Sequence, residues 1–344
     1  MKVLVTGASG FLGRTLVERL LAHGETEIRC FVRPSSNFAT LAQLQRSYPK
    51  ARLDYVIGNL ASRADARRAV EGIETIYHLA AGMKGLPATL FFNTLVASQS
   101  LIDAMKDKKR RVVLVSSIGV YDTSSLGTKH LVGEDTDLDP HPEKRSVYFH
   151  AKIWQEHLFR EQAENGHIDL VVVRPGVLYG DGNPNRGFPS RIGVLVGHLL
   201  FVFGGKQVLP LCHVVNCAEA VILAGTSPNA SGHSYNVLDD NLPTVKDYLR
   251  QHKREVENVS SLCFPFPAAM LLSKIVERYH RKTHGQIPAV LTPYETKAMW
   301  KGHRFDNQSI KKLGWKRIVP MDEGLRETFA YLRASMNGGF GNTM

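Results

Sequence analysis

This sequence predicts an α/β fold, a doubly wound and mostly parallel sheet with helices on both faces and a small additional part toward the C-terminus. Three observations carry that reading. The chain opens as strand, glycine-rich turn and helix in direct succession (MKVLVTGASGFLG, 1–13). Short apolar runs at 27–33, 53–57, 75–79, 112–115, 170–173 and 235–237 then alternate with helical stretches, the pattern of parallel strands joined by crossovers. Three of those runs are followed directly by Pro34, Gly58 and Ser116, at the carboxyl edge where such sheets leave a ligand crevice.

The first run, 2–5, is apolar and β-branched, as a buried strand requires. Gly7, Gly10 and Gly13 follow at intervals of three, ahead of a helical stripe of Leu16, Val17, Leu20 and Leu21. Gly7 permits a tight turn, Gly10 lets backbone approach a pyrophosphate, and Gly13 lets helix and strand pack closely. Ser9, Phe11 and Leu12 are candidate contacts in the same turn. The second strand ends at Arg33, followed by Pro34, Ser35 and Ser36. A dinucleotide site that prefers NAD carries an acidic residue there, about 20 positions after the glycines, for the ribose 2′-hydroxyl. A guanidinium instead pairs with a 2′-phosphate through two parallel hydrogen bonds, and Ser35 and Ser36 add hydroxyls. NADP(H) is therefore the predicted cofactor, with NAD(H) as the alternative.

Further along, 53–57 closes with Gly58, Asn59 and Leu60, and 75–79 with Ala80 and Ala81. His78, inside an apolar strand end, reads as a satisfied core histidine rather than a base or ligand. The stretch 92–104 reads as a helix, with Asn93 near its start as either an N-cap or a site contact. The apolar run 112–115 ends in Ser116-Ser117-Ile118-Gly119-Val120-Tyr121, and 122–146 reads as a polar surface loop. Tyr148 and Lys152 follow at a spacing of four, which puts both on one face of the next helix. The run 170–173 continues as Arg174-Pro175-Gly176-Val177-Leu178-Tyr179-Gly180. A Gly/Pro/Asn loop, a mostly apolar 188–203 and a helix starting within 212–220 come next, and 336–344 is expected to be a disordered tail. Residues 1–180, completed by about 212–240, are expected to bind the dinucleotide, with 181–211 and 241–335 forming the smaller part.

Composition narrows the partners. The chain of 344 residues has 43 Lys and Arg against 32 Asp and Glu, a formal charge of +11, which suits an acidic cofactor. Basic clusters lie at 106–111 and 278–284, but without a nucleic-acid-binding motif, so no nucleic acid partner is expected. Cys30, Cys212, Cys217 and Cys263 are scattered without metal spacing and read as reduced thiols of a cytoplasmic protein, with no metal. No apolar run approaches the ~20 residues of a membrane span, and a strand beginning at Lys2 leaves no room for a signal peptide.

These motifs, in this order, resemble the extended short-chain dehydrogenases/reductases, the NAD(P)-dependent epimerase/dehydratase family. Val214, Asn216 and Ala220 with the apolar 188–203 stretch are closest to its 3β-hydroxysteroid dehydrogenase-like group. The resemblance implies a Rossmann-type fold with a small C-terminal substrate-binding part. It assigns Ser117, Tyr148 and Lys152 to catalysis. Ser117 would hold the substrate oxygen and Tyr148 transfer a proton, while Lys152 lowers the phenol pKa and binds the nicotinamide ribose. Asn59 (where the family usually has Asp) and Leu60 would meet the adenine, and Leu79, Ala80 and Ala81 would underlie the ribose. Asn93, Pro175 and Val177 would line the nicotinamide side.

The implied reaction interconverts a ketone and a secondary alcohol on a hydrophobic, steroid-, isoprenoid- or polyketide-like substrate. Nucleotide-sugar chemistry is the alternative, disfavoured because Leu209 stands where those members carry a diphosphate-clamping arginine. A non-catalytic cofactor-binding regulator is a second alternative, against which the intact Ser-Tyr-Lys set speaks. A homodimer is compatible with the sequence. The apolar 262–276, running into the basic 277–284, reads either as a core helix with a solvated end or as a surface resting among lipid headgroups, and the core helix is preferred.

Overall fold

Seven strands share one sheet: β1 (Val3–Thr6), β2 (Glu27–Val32), β3 (Arg52–Ile57), β4 (Thr75–His78), β5 (Arg111–Val115), β6 (Asp169–Pro175) and β7 (Ser234–Val237). In the computed structural model, which describes residues 2–83, 85–183, 188, 191–197, 199–283 and 292–337, they are ordered β7-β6-β5-β4-β1-β2-β3. Every pairing is parallel. Period-two alternation feeds both faces. Val3, Val5, Val113, Val115, Val171 and Val173 face helices Phe11–Ala22 and Val214–Thr226. Leu4, Val112, Leu114, Leu170 and Val172 face helices Arg63–Val70, Ala97–Ala104 and Val147–Glu164. Leu16, Val17, Leu20 and Leu21, the stripe read from the sequence, are all buried.

Strand order reverses between β1 and β4, which opens a crevice at their carboxyl ends. The glycine turn after β1 lies against the backbone after β4: a Cβ added to Gly7 would stand 3.1 Å from Ala80 N. That contact places the two predicted cofactor segments side by side.

Four differences from the sequence reading have local causes. The helix expected at 92–104 begins earlier, at Pro87, and passes through a π turn, Phe92–Val96, before Ala97–Ala104. The expected surface loop 122–146 is pinned inward. Its Leu131–Val132 pairs with Arg304–Phe305, and Thr123, Val132 and Asp139 are buried. Helix Phe266–Lys282 is not core: only Ala269 and Ser273 are buried along it, where it packs on Pro293–Trp300. Met336 and Asn337 of the expected tail belong to the last helix, Met321–Asn337, and 338–344 lie outside the described residues.

A second sheet joins Gly193–Val196, Leu199–Phe203 and Ser260–Phe264. It packs Leu200 and Val202 with Val245, Tyr248, Leu249, Leu325 and Phe329. Parts of the 181–211 stretch (184–187, 189–190 and 198) and of 278–284 (His284) lie outside the described residues.

Candidate active site

Two glycines make the cradle at the crevice. Gly7 has φ +72°, a conformation that favours glycine, and a Cβ on Gly13 would overlap Gly7 O. Helix Phe11–Ala22 starts at Gly10 with no side-chain cap and no acidic residue in its first turn. Its amide N–H groups and positive end are thus left to an anion, as a pyrophosphate requires. Ser9 and Phe11 are part-buried around this turn and Leu12 is buried. Arg33 and Ser35 are exposed immediately past β2, in a turn closed by Ser36 N donating to Arg33 O (2.9 Å). The uncapped helix end, the close glycine contact and the free cation together fit a dinucleotide.

Other predicted contacts are placed differently. Asn59 Oδ1 accepts from Ala61 N (3.0 Å), and Asn59 N donates to Asp65 Oδ2 (2.9 Å), so its carbonyl serves the turn into Arg63–Val70. Leu60 is buried. Leu79, Ala80 and Ala81 are part-exposed at the end of β4. Asn93 lies inside the π turn and caps nothing; such turns recur at functional sites. Pro175 is buried and Val177 part-exposed, with Val177 N donating to Pro210 O (2.7 Å).

Ser117 stands one residue beyond buried Ser116, past the end of β5. Its Oγ accepts from Gly119 N (3.1 Å), which leaves the hydroxyl proton to donate elsewhere. Helix Val147–Glu164 packs over the turn 118–120, and a Cβ on Gly119 would overlap the Phe149 ring. Glycine there leaves the room that the Phe149 ring occupies, so Tyr148's helix packs directly on the turn after Ser117. One turn on, buried Lys152 Nζ donates to Val115 O and Gln155 Oε1, both at 2.7 Å. Burial pushes the Tyr148 phenol up to about 12 and the Lys152 ammonium down to about 7. Desolvation raises the phenol while the Lys152 ammonium is turned toward Val115 O at the end of β5.

Beneath Lys152 lies a buried amide network that the sequence did not reveal. Gln155 Nε2 donates to Ser98 Oγ (2.8 Å) and Ala80 O (3.4 Å), joining the Tyr148 helix to the chain just past β4. His78 Nδ1 is hydrogen-bonded to Thr6 Oγ1 (2.8 Å) and Nε2 to Ser98 Oγ (3.1 Å), the satisfied core histidine that was expected. Burial, aided by the nearby Lys152 charge, pushes His78 down to about 3, and burial pushes His213 down to about 4. Both stay neutral in the folded chain, while the unfolded chain protonates them below about 6.5. Stability should thus be full at pH 7 and fall as pH drops, by about 2 kcal/mol per histidine at pH 5. Urea midpoints at the two pH values measure this, and His78→Gln should lessen the difference. An equal difference in that variant would remove His78 from the account.

Sequence reasoning also missed two arginines. Arg145 Nη2 donates to Gly119 O (2.9 Å) in the turn after Ser117. Arg191 lines a small pocket with Gln207, Val208, Leu209 and Val245, and burial, then the Arg145 charge, push it down to about 10. The side chain beside Leu209 is thus an arginine after all, delivered from elsewhere in the chain, where spacing along the sequence could not find it.

The fold and these motifs define an NAD(P)-dependent enzyme of the extended short-chain dehydrogenase/reductase class. The chain belongs to the NAD dependent epimerase/dehydratase family, matched over residues 3–237. It is 32% identical over 252 residues to sterol demethylase protein B of Methylococcus capsulatus, covering 70% of each chain. It is 29% identical over 251 residues to the uncharacterized UDP-glucose epimerase YtcB of Bacillus subtilis, covering 69% of this chain and 76% of that one. The solved UDP-glucuronic acid 4-epimerase of Bacillus cereus in complex with NAD shares the fold, with a TM-score of 0.73 at 20% identity over 99% of both chains.

Proposed function

We propose that this chain is an NADP(H)-dependent reductase/dehydrogenase of the cytoplasm that interconverts a ketone and a secondary alcohol on a hydrophobic substrate. The carrying observation is the convergence at the end of β5, where the Ser117 turn, the Tyr148 helix and the Lys152–Val115 bond meet. Ser117 donates a hydrogen bond to the substrate oxygen and keeps its proton. Tyr148, protonated at neutral pH because burial raises its pKa, gives that oxygen its proton as the ketone is reduced. Lys152 ties the helix to β5 and offers its remaining N–H to a ribose. When bound, the nicotinamide cofactor supplies the hydride to the carbon or takes it up. The mostly apolar 188–203 stretch, whose Leu195, Leu199 and Phe201 stay part-exposed, suits a steroid-, isoprenoid- or polyketide-like skeleton.

Arg33 carries the cofactor preference. Arg33→Asp should reverse or erase it, because one charge-assisted bidentate contact is worth on the order of 1.5–3 kcal/mol, about tenfold to a hundredfold in affinity. Equal affinity of the unaltered protein for NADPH and NADH would refute the assignment.

Nucleotide-sugar chemistry is the second reading, and Arg191 beside Leu209 is the observation that favours it. A screen of nicotinamide oxidation and reduction with hydrophobic ketones beside UDP-, GDP- and dTDP-sugars separates the two. Ketone reduction is the expected result; turnover of a nucleotide sugar without ketone reduction would overturn it.

A further inference from the structure

We propose that helix Phe266–Lys282, with the neighbouring strand Ser260–Phe264, is a docking face for an anionic lipid bilayer. The proposal rests on this surface alone and holds whichever substrate the site takes. Leu271, Ile275 and Tyr279 are spaced by four, one stripe of the helix, and are 62%, 56% and 54% exposed. Leu272 widens the stripe, and Leu262, 51% exposed, adds an apolar side chain on the strand just before the helix. Single exposed apolar side chains are ordinary, but five in one segment make a patch that marks an interaction site.

The inner side of the helix explains why these residues face out. It presents buried Ala269 and Ser273 to Pro293–Trp300, and Phe266 meets Trp300 at 5.7 Å between ring centroids. Leu271, Ile275 and Tyr279 stand outside this seat, and packing among the described residues does not account for them.

Charge chooses the occupant. Lys274, Arg278, Arg281 and Lys282 are exposed around the apolar stripe, whereas Glu277 is bound to Arg281 (2.8 Å). A second copy seated face to face would set these cations against one another, in a chain already carrying +11. A bilayer with anionic headgroups satisfies both features: apolar side chains sink to the acyl boundary while cations stay among the headgroups. No described helix is long and apolar enough to cross a membrane, so the contact is peripheral.

The face is also mechanically close to the candidate active site. On the helix that seats it, Glu295 Oε1 accepts from Ser146 N (2.6 Å), two residues before Tyr148, and Tyr294 donates to Asp139 Oδ1 (2.8 Å). Docking would therefore bring the rim of the Tyr148 helix near the bilayer, a short route for a lipid-soluble substrate.

Flotation of the full chain with phosphatidylcholine vesicles, with and without phosphatidylglycerol, tests the proposal. The chain is expected to float with the anionic vesicles at low salt, to be released at high salt, and to ignore pure phosphatidylcholine. Lys274→Glu with Arg278→Glu should weaken partitioning at least ~tenfold. Leu271→Asn with Ile275→Asn should weaken it at every salt concentration. These exposed positions should leave NADPH affinity unchanged in both variants, which reports on folding. Absence of anionic-vesicle binding at low salt would overturn the proposal. So would undiminished binding by both variants, which would move the contact elsewhere on a basic chain. A concentration-dependent dimer abolished by the Leu271/Ile275 variant would give the face to a second copy instead.

Discussion

Replacing Tyr148 by Phe is expected to lower turnover at least ~10²-fold and leave NADPH affinity nearly unchanged. The change removes one oxygen and keeps the ring, which packs against Phe149 at 5.3 Å between centroids. Phe149 in turn fills the space that Gly119 leaves open, so the helix has no reason to shift. The proton donor is lost while its surroundings are kept. Lys152→Met should behave differently, losing cofactor affinity as well as turnover, since it removes the 2.7 Å anchor to Val115 O and the proposed ribose partner together. Steady-state kinetics with fluorescence titration of NADPH separates the two patterns. Near-full activity of Tyr148→Phe on the true substrate would show that the proton comes from another group.

The features legible in the sequence are those that a short stretch of chain determines by itself. The glycine turn is one, because the φ of Gly7 and the close packing at Gly13 follow from local spacing. The parallel strands are another, since burial on both faces demands unbroken apolar runs. Features set by distant partners were not legible. Asn216, read as a group signature, proves to be a clasp: its side chain donates to Asp239 and Val319 O and accepts from Ile318 N and Val319 N. Gln155 looks like any polar helix residue until β4 and Ser98 are folded beneath it. The apolar 262–276 misled in the opposite direction. Hydrophobicity suggested burial, but the helix needs only Ala269 and Ser273 for its seat, and no periodicity distinguishes a face turned to the core from one turned outward.

Glu156→Ala should be the most destabilising single change in this region, costing about 3–5 kcal/mol out of the ~5–15 typical of a folded chain. The Glu156 side chain is fully buried, paired with Arg174 and with Arg160 (2.8 Å). Burial alone would raise its carboxyl pKa, but the two guanidinium groups outweigh that and hold it below the usual range. Arg174 is equally enclosed, its guanidinium 4.4 Å from the Tyr121 ring centroid, and Tyr121 donates to Asn236 Oδ1 (2.6 Å) on β7. The carboxylate therefore neutralises a cation that water cannot reach, and truncating it strands that cation between helix and sheet. Glu156→Gln should cost less because an oxygen acceptor survives, and Glu156→Gln with Arg174→Met should recover much of the loss by removing the stranded charge. Urea unfolding of the three variants measures these differences. A loss below about 1 kcal/mol for Glu156→Ala would mean that Arg174 finds solvent or another anion, and that the pair does not lock the Tyr148 helix to β6.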